Sequence, residues 1–274
     1  NREEQVMRRR ILAAALAAIT MLAIASCGKK QESSVPETTV EQVTERKVLM
    51  MGFYEDAEPF SYADENGTYY GFDLEIGKEL ARRLNVTLNL RAIKRDAAAT
   101  ELQNGTIDFL GNALFLSKDE RKGTTKTDTL FTNRQVVVVP ADSEVQEQAQ
   151  LEGKKVGVVK NEMSQAALAD KKSLAKKVET QEFDTRADAA TALRGYTVDA
   201  LVMDEAWAYE QMQKGQQLRI VGDALAEEAY TIVLRSQDEA LCKKINELIG
   251  EMRNDGTLDK LLQKSFGKGQ DTLK

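Results

Sequence analysis

The chain has 274 residues, and 38 lysines and arginines against 44 aspartates and glutamates give it a formal charge of −6. Nothing in it resembles the basic face that phosphate binding demands, which argues against nucleic acid as a partner. It has no histidine, so a Ser-His-Asp triad, a Cys-His pair and His-ligated zinc are excluded, and with them most hydrolase chemistry; no cofactor or metal is called for.

In chain order, Arg8, Arg9 and Arg10 precede an apolar run from Ile11 to Ala25 in which Thr20 is the one polar residue. This is the layout of a secretory signal beginning at Met7, and the run is shorter than the ~20 residues a membrane-spanning helix needs. It ends in Ile24-Ala25-Ser26-Cys27-Gly28, which resembles the lipobox at which bacterial lipoproteins are cleaved and acylated. The resemblance implies removal of residues 1–26, a lipid (palmitate included) on Cys27, and a cell-membrane anchor facing the periplasm or the exterior. Losing Arg2, Arg8, Arg9 and Arg10 together with Glu3 and Glu4 would lower the formal charge by two further units. Residues 27–45 have no aromatic and few aliphatic side chains, too little apolar surface to offset the entropy of ordering, and read as a flexible tether. Cys242 falls in a helical pattern and has no disulfide partner if Cys27 is lipidated.

Val48–Met51 is a short apolar run ending at Gly52 and reads as a buried strand. After the turn signal Asn66-Gly67 a helix starts near Asp73, placed to be its N-cap, with Ile76, Leu80 and Leu84 on one face and Asn85 at its end. Val86, Leu88 and Leu90 alternate as in a strand, a helix covers about Arg95 to Gln103, and Ile107–Leu110 is the next strand. Gln135–Val139 is a β-branched run closed by Pro140, which cannot donate to a central ladder. The grammar then repeats: strands at 155–159, 178–183 and 198–203, helices at 164–170, 186–194 and 205–213, a strand near Arg219 to Val221, then Tyr230–Leu234 and helices at 238–253 and 257–264. Alternating strands and helices of this kind form an α/β fold of open, mostly parallel sheets. Such sheets bind ligands beyond the carboxyl ends of their strands, where helix N-termini point. Arg121, Asn161 to Ser164 and Asp204 all follow strands and become the candidate site.

The motifs Pro59-Phe60, Gly71-Phe72-Asp73-Leu74, Leu102-Gln103-Asn104-Gly105 and Asp119-Glu120-Arg121-Lys122 lie in one half. Gly153–Val158, Val198-Asp199-Ala200 before Asp204, Met252–Thr257 and Phe266-Gly267 lie in the other. In order and spacing they make the chain similar to the extracellular solute-binding proteins of family 3, the receptors of amino acid ABC importers. The resemblance implies a type II periplasmic-binding-protein fold of two lobes joined by a two-strand hinge near 134–139 and 222–229. Lobe one would be 46–134 plus 226–274, and lobe two 135–225. It implies a monomeric receptor whose cleft closes on an amino acid and then docks on a membrane permease, with Arg121 clamping the ligand carboxylate and Asp204 taking its ammonium. The bland readings are a solvated charge run for Arg121 and a helix N-cap for Asp204.

The departures bear on the ligand. One residue more than the family commonly has separates Asp108 from Arg121. Phe115 stands where a Ser or Thr often meets the ammonium, with Ser117 close by, and Asn161-Glu162-Met163-Ser164 replaces a Gly-Ser/Thr loop, so Met163 and Ser164 become candidates too. Ala57 replaces a stacking aromatic, a wall that Tyr54, Phe60 or Phe115 can supply. Glu162 would repel a carboxylate unless it turns away or meets a cation, which leaves a basic amino acid or a ligand of another kind open. Two other classes share the fold: a dehydratase resembling the cyclohexadienyl dehydratases, with Glu55 or Glu162 as acid, and a sensor for a membrane signalling partner. No paired acidic motif selects the enzyme.

Overall fold

Strand β1 (Val48–Phe53) lies between β5 (Thr87–Ala92) and β6 (Phe109–Leu110), parallel to both, with Met51 opposite Leu90 on one side and Phe109 on the other. This is the centre of the first lobe in a computed structural model that describes residues 36–64, 66–111, 122–160 and 162–267. Residues from Glu37 onward pack as one unit. The sheet continues through β13 (Val233–Arg235) to β7 (Thr124–Lys126), both pairings antiparallel. A small antiparallel sheet of β2 (Asp56–Ala57), β3 (Ser61–Ala63) and β4 (Tyr69–Tyr70) sits at its edge.

Helix α2 (Phe72–Leu84) buries Leu74, Ile76, Leu80 and Leu84 and ends at Asn85, which is left-handed at φ 56°. Its start differs from the expectation. Gly71 is the N-cap, at φ 123°, where an added Cβ would lie 2.2 Å from the Phe60 carbonyl oxygen; only glycine fits this approach. Asp73 sits in the first turn with its carboxylate inward, accepting a 2.6 Å hydrogen bond from the Tyr230 hydroxyl. A short 3-10 turn over Arg95–Ala97 leads into α3 (Ala98–Gln103).

The second sheet has the order β10-β9-β11-β8-β12. Strands β9 (Lys155–Val159), β10 (Glu179–Phe183) and β11 (Ala200–Asp204) are parallel, β8 (Phe131–Pro140) runs against β11, and β12 (Leu218–Tyr230) runs against β8 and so in the same sense as the first three. Helices α4 (Met163–Asp170), α5 (Lys172–Ala175), α6 (Arg186–Arg194) and α7 (Glu205–Gln213) cover it. Strand β8 is buried on both faces, Val136 and Val138 entering one core and Val137 and Val139 the other. That is why its sequence is a continuous apolar run rather than an alternating one. Each sheet therefore mixes parallel and antiparallel pairs, because one strand in each, β13 in the first and β8 in the second, runs against its neighbours on both sides.

The ladder of β8 and β12 runs from Phe131 opposite Tyr230 to Pro140 opposite Leu218, with a register break between Val221 and Ala226. Its first residues belong to the lobe-one core, where Phe131 stacks on Tyr230 at 4.5 Å between ring centres and Phe60, Phe72 and Phe266 complete an aromatic cluster. Phe266 closes α9 (Thr257–Phe266), which with α8 (Glu239–Asn254) packs on α2, so the first lobe draws on both ends of the unit. Cys242 of α8 is buried.

The tether expected over 27–45 is shorter than the sequence suggests. Val40–Arg46 forms helix α1, started by a capping box of Thr39 and Gln42, with Val43 completely buried. Thr38 joins a buried ion pair: its N-H donates to Asp238 Oδ1 at 2.8 Å, Arg235 Nη2 donates to its hydroxyl at 2.5 Å, and Arg235 Nε lies 2.8 Å from Asp238 Oδ2. The apolar contacts of Val40 and Val43 and a buried polar anchor order a segment whose composition alone reads as disordered. Cys27 and the apolar leader lie outside the described residues.

Candidate functional site

Asp204 is the last residue of β11, and although it immediately precedes α7 its side chain does not cap that helix. The strand register puts it opposite Gln135 of β8. Gln135 Nε2 and Asn133 Nδ2 each donate to Asp204 Oδ1 at 2.6 Å. Its other oxygen receives Arg186 Nη2 at 2.5 Å. The carboxylate is 3 % exposed, and the capping reading of this residue is thereby set aside. The Oδ1 atom of Asn133 finds no donor among the described residues, so an open acceptor stands beside the carboxylate.

Arg186 opens α6, oriented by Thr185, whose hydroxyl accepts the Asp188 N-H at 3.0 Å. Its guanidinium joins two acids and both lobes. Nε donates to both Glu162 oxygens at 2.9 and 3.1 Å, Nη2 lies 2.8 Å from Glu162 Oε2, and Nη1 donates to the Glu58 carbonyl in lobe one at 2.9 Å. Burial by itself would lower the pKa of this group, but Asp204 and Glu162 outweigh it and hold the guanidinium charged. From lobe one, Arg95 reaches Glu162 at 3.4 Å and Asp56 at 2.7 Å. Glu162 thus meets two cations and turns away from open space. Phe60 lies under Arg186 at 5.9 Å and Tyr54 under Arg95 at 5.7 Å. Lys214 pairs with Glu58 and, at 2.9 Å, with Glu210, which makes a further link between lobes. A cavity of about 530 Å³ lies beside the cluster, with Asp56, Tyr62 and Asp64 on one wall and Arg186, Arg194 and Trp207 on the other.

Beneath these charges Asp73 is fully buried. Burial pushes its pKa up to about 7 against the opposing hydrogen bond from Tyr230, and its second oxygen has no partner among the described residues. Tyr230 in turn feels the charges of Asp204 and Arg186, so the buried acid of lobe one and the ion cluster of lobe two adjoin through one residue of a connecting strand.

Of the residues nominated from sequence, the structure brings together Asp204, Phe60 and Tyr54, with Glu162 among them. Met163 packs against the lobe-one core. Ser164 is buried, and its hydroxyl accepts the Val159 N-H at 3.2 Å across the loop after β9. Arg121, Ser117, Phe115 and Asn161 lie outside the described residues. Arg186 and Arg95 were not nominated, although Arg186 follows a strand as the other candidates do; the strand-end filter applied evenly would have found it.

The sequence of residues 49–268 matches the model of the bacterial extracellular solute-binding proteins, family 3. The chain belongs to this family. Its two lobes have the type II periplasmic-binding-protein fold. The L-cystine-binding protein TcyJ of Escherichia coli (strain K12) is 29 % identical over 244 residues, covering 88 % of this chain and 90 % of that protein. An ABC uptake transporter substrate-binding protein from Streptococcus pneumoniae, solved with bound histidine, is 25 % identical with a TM-score of 0.72, covering 84 % of this chain and 96 % of that one. An ancestral amino acid-binding protein described as a precursor of cyclohexadienyl dehydratase is 27 % identical with a TM-score of 0.71, covering 84 % of this chain and all of that one. Among the described residues no helix is long and apolar enough to cross a membrane, and no cluster of acids, cysteines or histidines could hold a metal ion.

Proposed function

We propose that this family 3 protein is the receptor of an ABC importer and captures an amino acid, or a related small polar solute, between its lobes. The observation that carries the reading is the buried Asp204 carboxylate at a strand end facing the other lobe, fixed by two amides and an arginine, with the open acceptor of Asn133 beside it. A carboxylate held this rigidly suits a ligand ammonium, each charge-assisted bond being worth about 1.5–3 kcal/mol. Arg121 clamps the ligand carboxylate in this reading, and Tyr54, Phe60, Phe115, Ser117, Asn161 and Met163 line the cleft. Ser164 joins that lining from the loop after β9.

Closure is a hinge motion of β8 and β12 near 134–139 and 222–229, and the closed form docks on the permease. The chain acts as a monomer. Cleavage before Cys27 and acylation of that cysteine hold it at the membrane.

Binding without turnover is the reading the ion cluster favours. The acid that a dehydratase would draw on, Glu162, is clamped by Arg186 and Arg95, and Glu55 accepts the Tyr69 hydroxyl at 2.7 Å. The test is thermal denaturation against the amino acids and polyamines, where ligand at 1,000 times its Kd adds ~4 kcal/mol of stability. One ligand class is expected to raise the melting temperature, and Arg121→Ala or Asp204→Asn to abolish the rise. No response to any of them would remove the amino acid reading, and turnover of prephenate would replace it with the enzyme.

A further inference from the structure

Glu162 and Asp204 are two nearly inaccessible carboxylates that meet at one point of the cleft, their side chains 4 % and 3 % exposed. Left alone, such a pair would attract a ligand with a positively charged side chain. The point is already filled, because Arg186 touches both acids, lies over Phe60 and extends to Glu58 of the opposite lobe. Arg95 adds a second cation at Glu162. Arg95 is itself paired with Asp56 in its own lobe, so the cation held between the two acids is Arg186.

We propose that Arg186 determines the charge class of the ligand: as a resident cation in the Glu162–Asp204 pocket, it restricts the cleft to amino acids whose side chains carry no positive charge. This deepens the amino acid reading and rests on it. A carboxylate has about four acceptor positions in all. Asp204 spends three of them on Asn133, Gln135 and Arg186. One position remains, enough for an ammonium on the ligand's α-carbon with help from the open oxygen of Asn133. A second cation on the ligand would find both acids already engaged and the Arg186 guanidinium, of its own sign, between them in a site shielded from water, where charges interact more strongly than at the surface.

A guanidinium serving only to hold the loops together predicts something different. Its loss would weaken every ligand by a similar factor. A charge that selects ligands changes the ratio between them, and specificity is such a ratio.

The experiment is isothermal titration calorimetry on the full chain, kept soluble in mild detergent, at pH 8. Cystine, glutamine, histidine, glutamate, arginine and lysine are titrated in turn. For the unaltered protein at least one neutral ligand is expected to bind tenfold or more tightly than arginine and lysine. Arg186→Gln is expected to shift the ratio of arginine to that ligand by at least tenfold toward arginine, and Arg186→Lys to preserve the original order. Glu162→Gln is the second variant, which keeps Arg186 and removes one of its acids; it is expected to raise glutamate relative to glutamine by tenfold or more, whether or not Arg186→Gln folds. Preference of the unaltered protein for arginine or lysine over every neutral ligand overturns the proposal. So does an Arg186→Gln variant in which all affinities fall by one common factor. If the unaltered protein binds none of the six, the amino acid reading itself fails and this inference with it, a result distinct from binding of the wrong charge class.

Discussion

Arg95 in lobe one and Glu162 in lobe two approach to 3.4 Å, a contact between the lobes added to the partner that each already has in its own lobe, Asp56 and Arg186. Arg95 keeps nearly a third of its side chain exposed, so the attraction is screened and worth at most about 1 kcal/mol. Such a contact biases closure without deciding it. Arg95→Ala is expected to weaken all ligands alike by up to about fivefold, and small-angle scattering of the unliganded variant should report a larger radius of gyration. A change in ligand preference instead of a uniform loss would assign Arg95 to specificity.

Asp73 predicts a pH dependence of stability. Its folded pKa of about 7 lies above the ordinary 3.8, so between those values the folded protein binds a proton that the unfolded chain has lost. Stability then falls as pH rises across that window, by about 1.4 kcal/mol per pH unit from this group. Asp73→Asn is expected to flatten that part of the profile and to be relatively more stable at pH 7 than at pH 4.5, measured by urea denaturation. Parallel profiles for the two proteins would contradict the burial argument.

The pair Arg235 and Asp238 is essentially inaccessible and also holds Thr38. Removing one member of a buried pair leaves an uncompensated charge and costs about 3–5 kcal/mol. Asp238→Ala should lose this much in denaturant and expose residues 38–46 to protease. In the unaltered protein, limited proteolysis should stop at the N-terminal side of Thr38. Cleavage inside 40–46 would show the helix to be loosely held.

Gly71 combines a left-handed φ of 123° with a carbonyl where a Cβ would go. Gly71→Ala is therefore expected to cost at least about 2 kcal/mol, since strain of this kind runs to 1–3 kcal/mol before the clash is counted. Thermal denaturation of the variant checks it, and an unchanged melting temperature would mean that the turn can rearrange freely.

Much of the fold is legible in local pattern. The strand at 155–159, the strand expected at 198–203 and found at 200–204, the helices at 186–194 and 205–213, the end of α2 at Asn85 and the arrival of Asp204 at a strand end all follow from alternation, helical spacing and turn chemistry, which act between residues two to four apart. The mixed strand directions, the ordered segment around Thr38 and Val43 and the inward turn of Asp73 do not, because each depends on partners brought from distant parts of the chain. The same holds for the site. Asp204 could be nominated as a carboxylate after a strand, yet whether it caps a helix or faces a ligand is decided by Asn133, Gln135 and Arg186. Glu162 reads as a repulsive charge until Arg186, 24 residues later, and Arg95, 67 residues earlier, close around it. Charge becomes site chemistry only where packing excludes water and topology chooses the counter-ion, and neither can be seen along the chain.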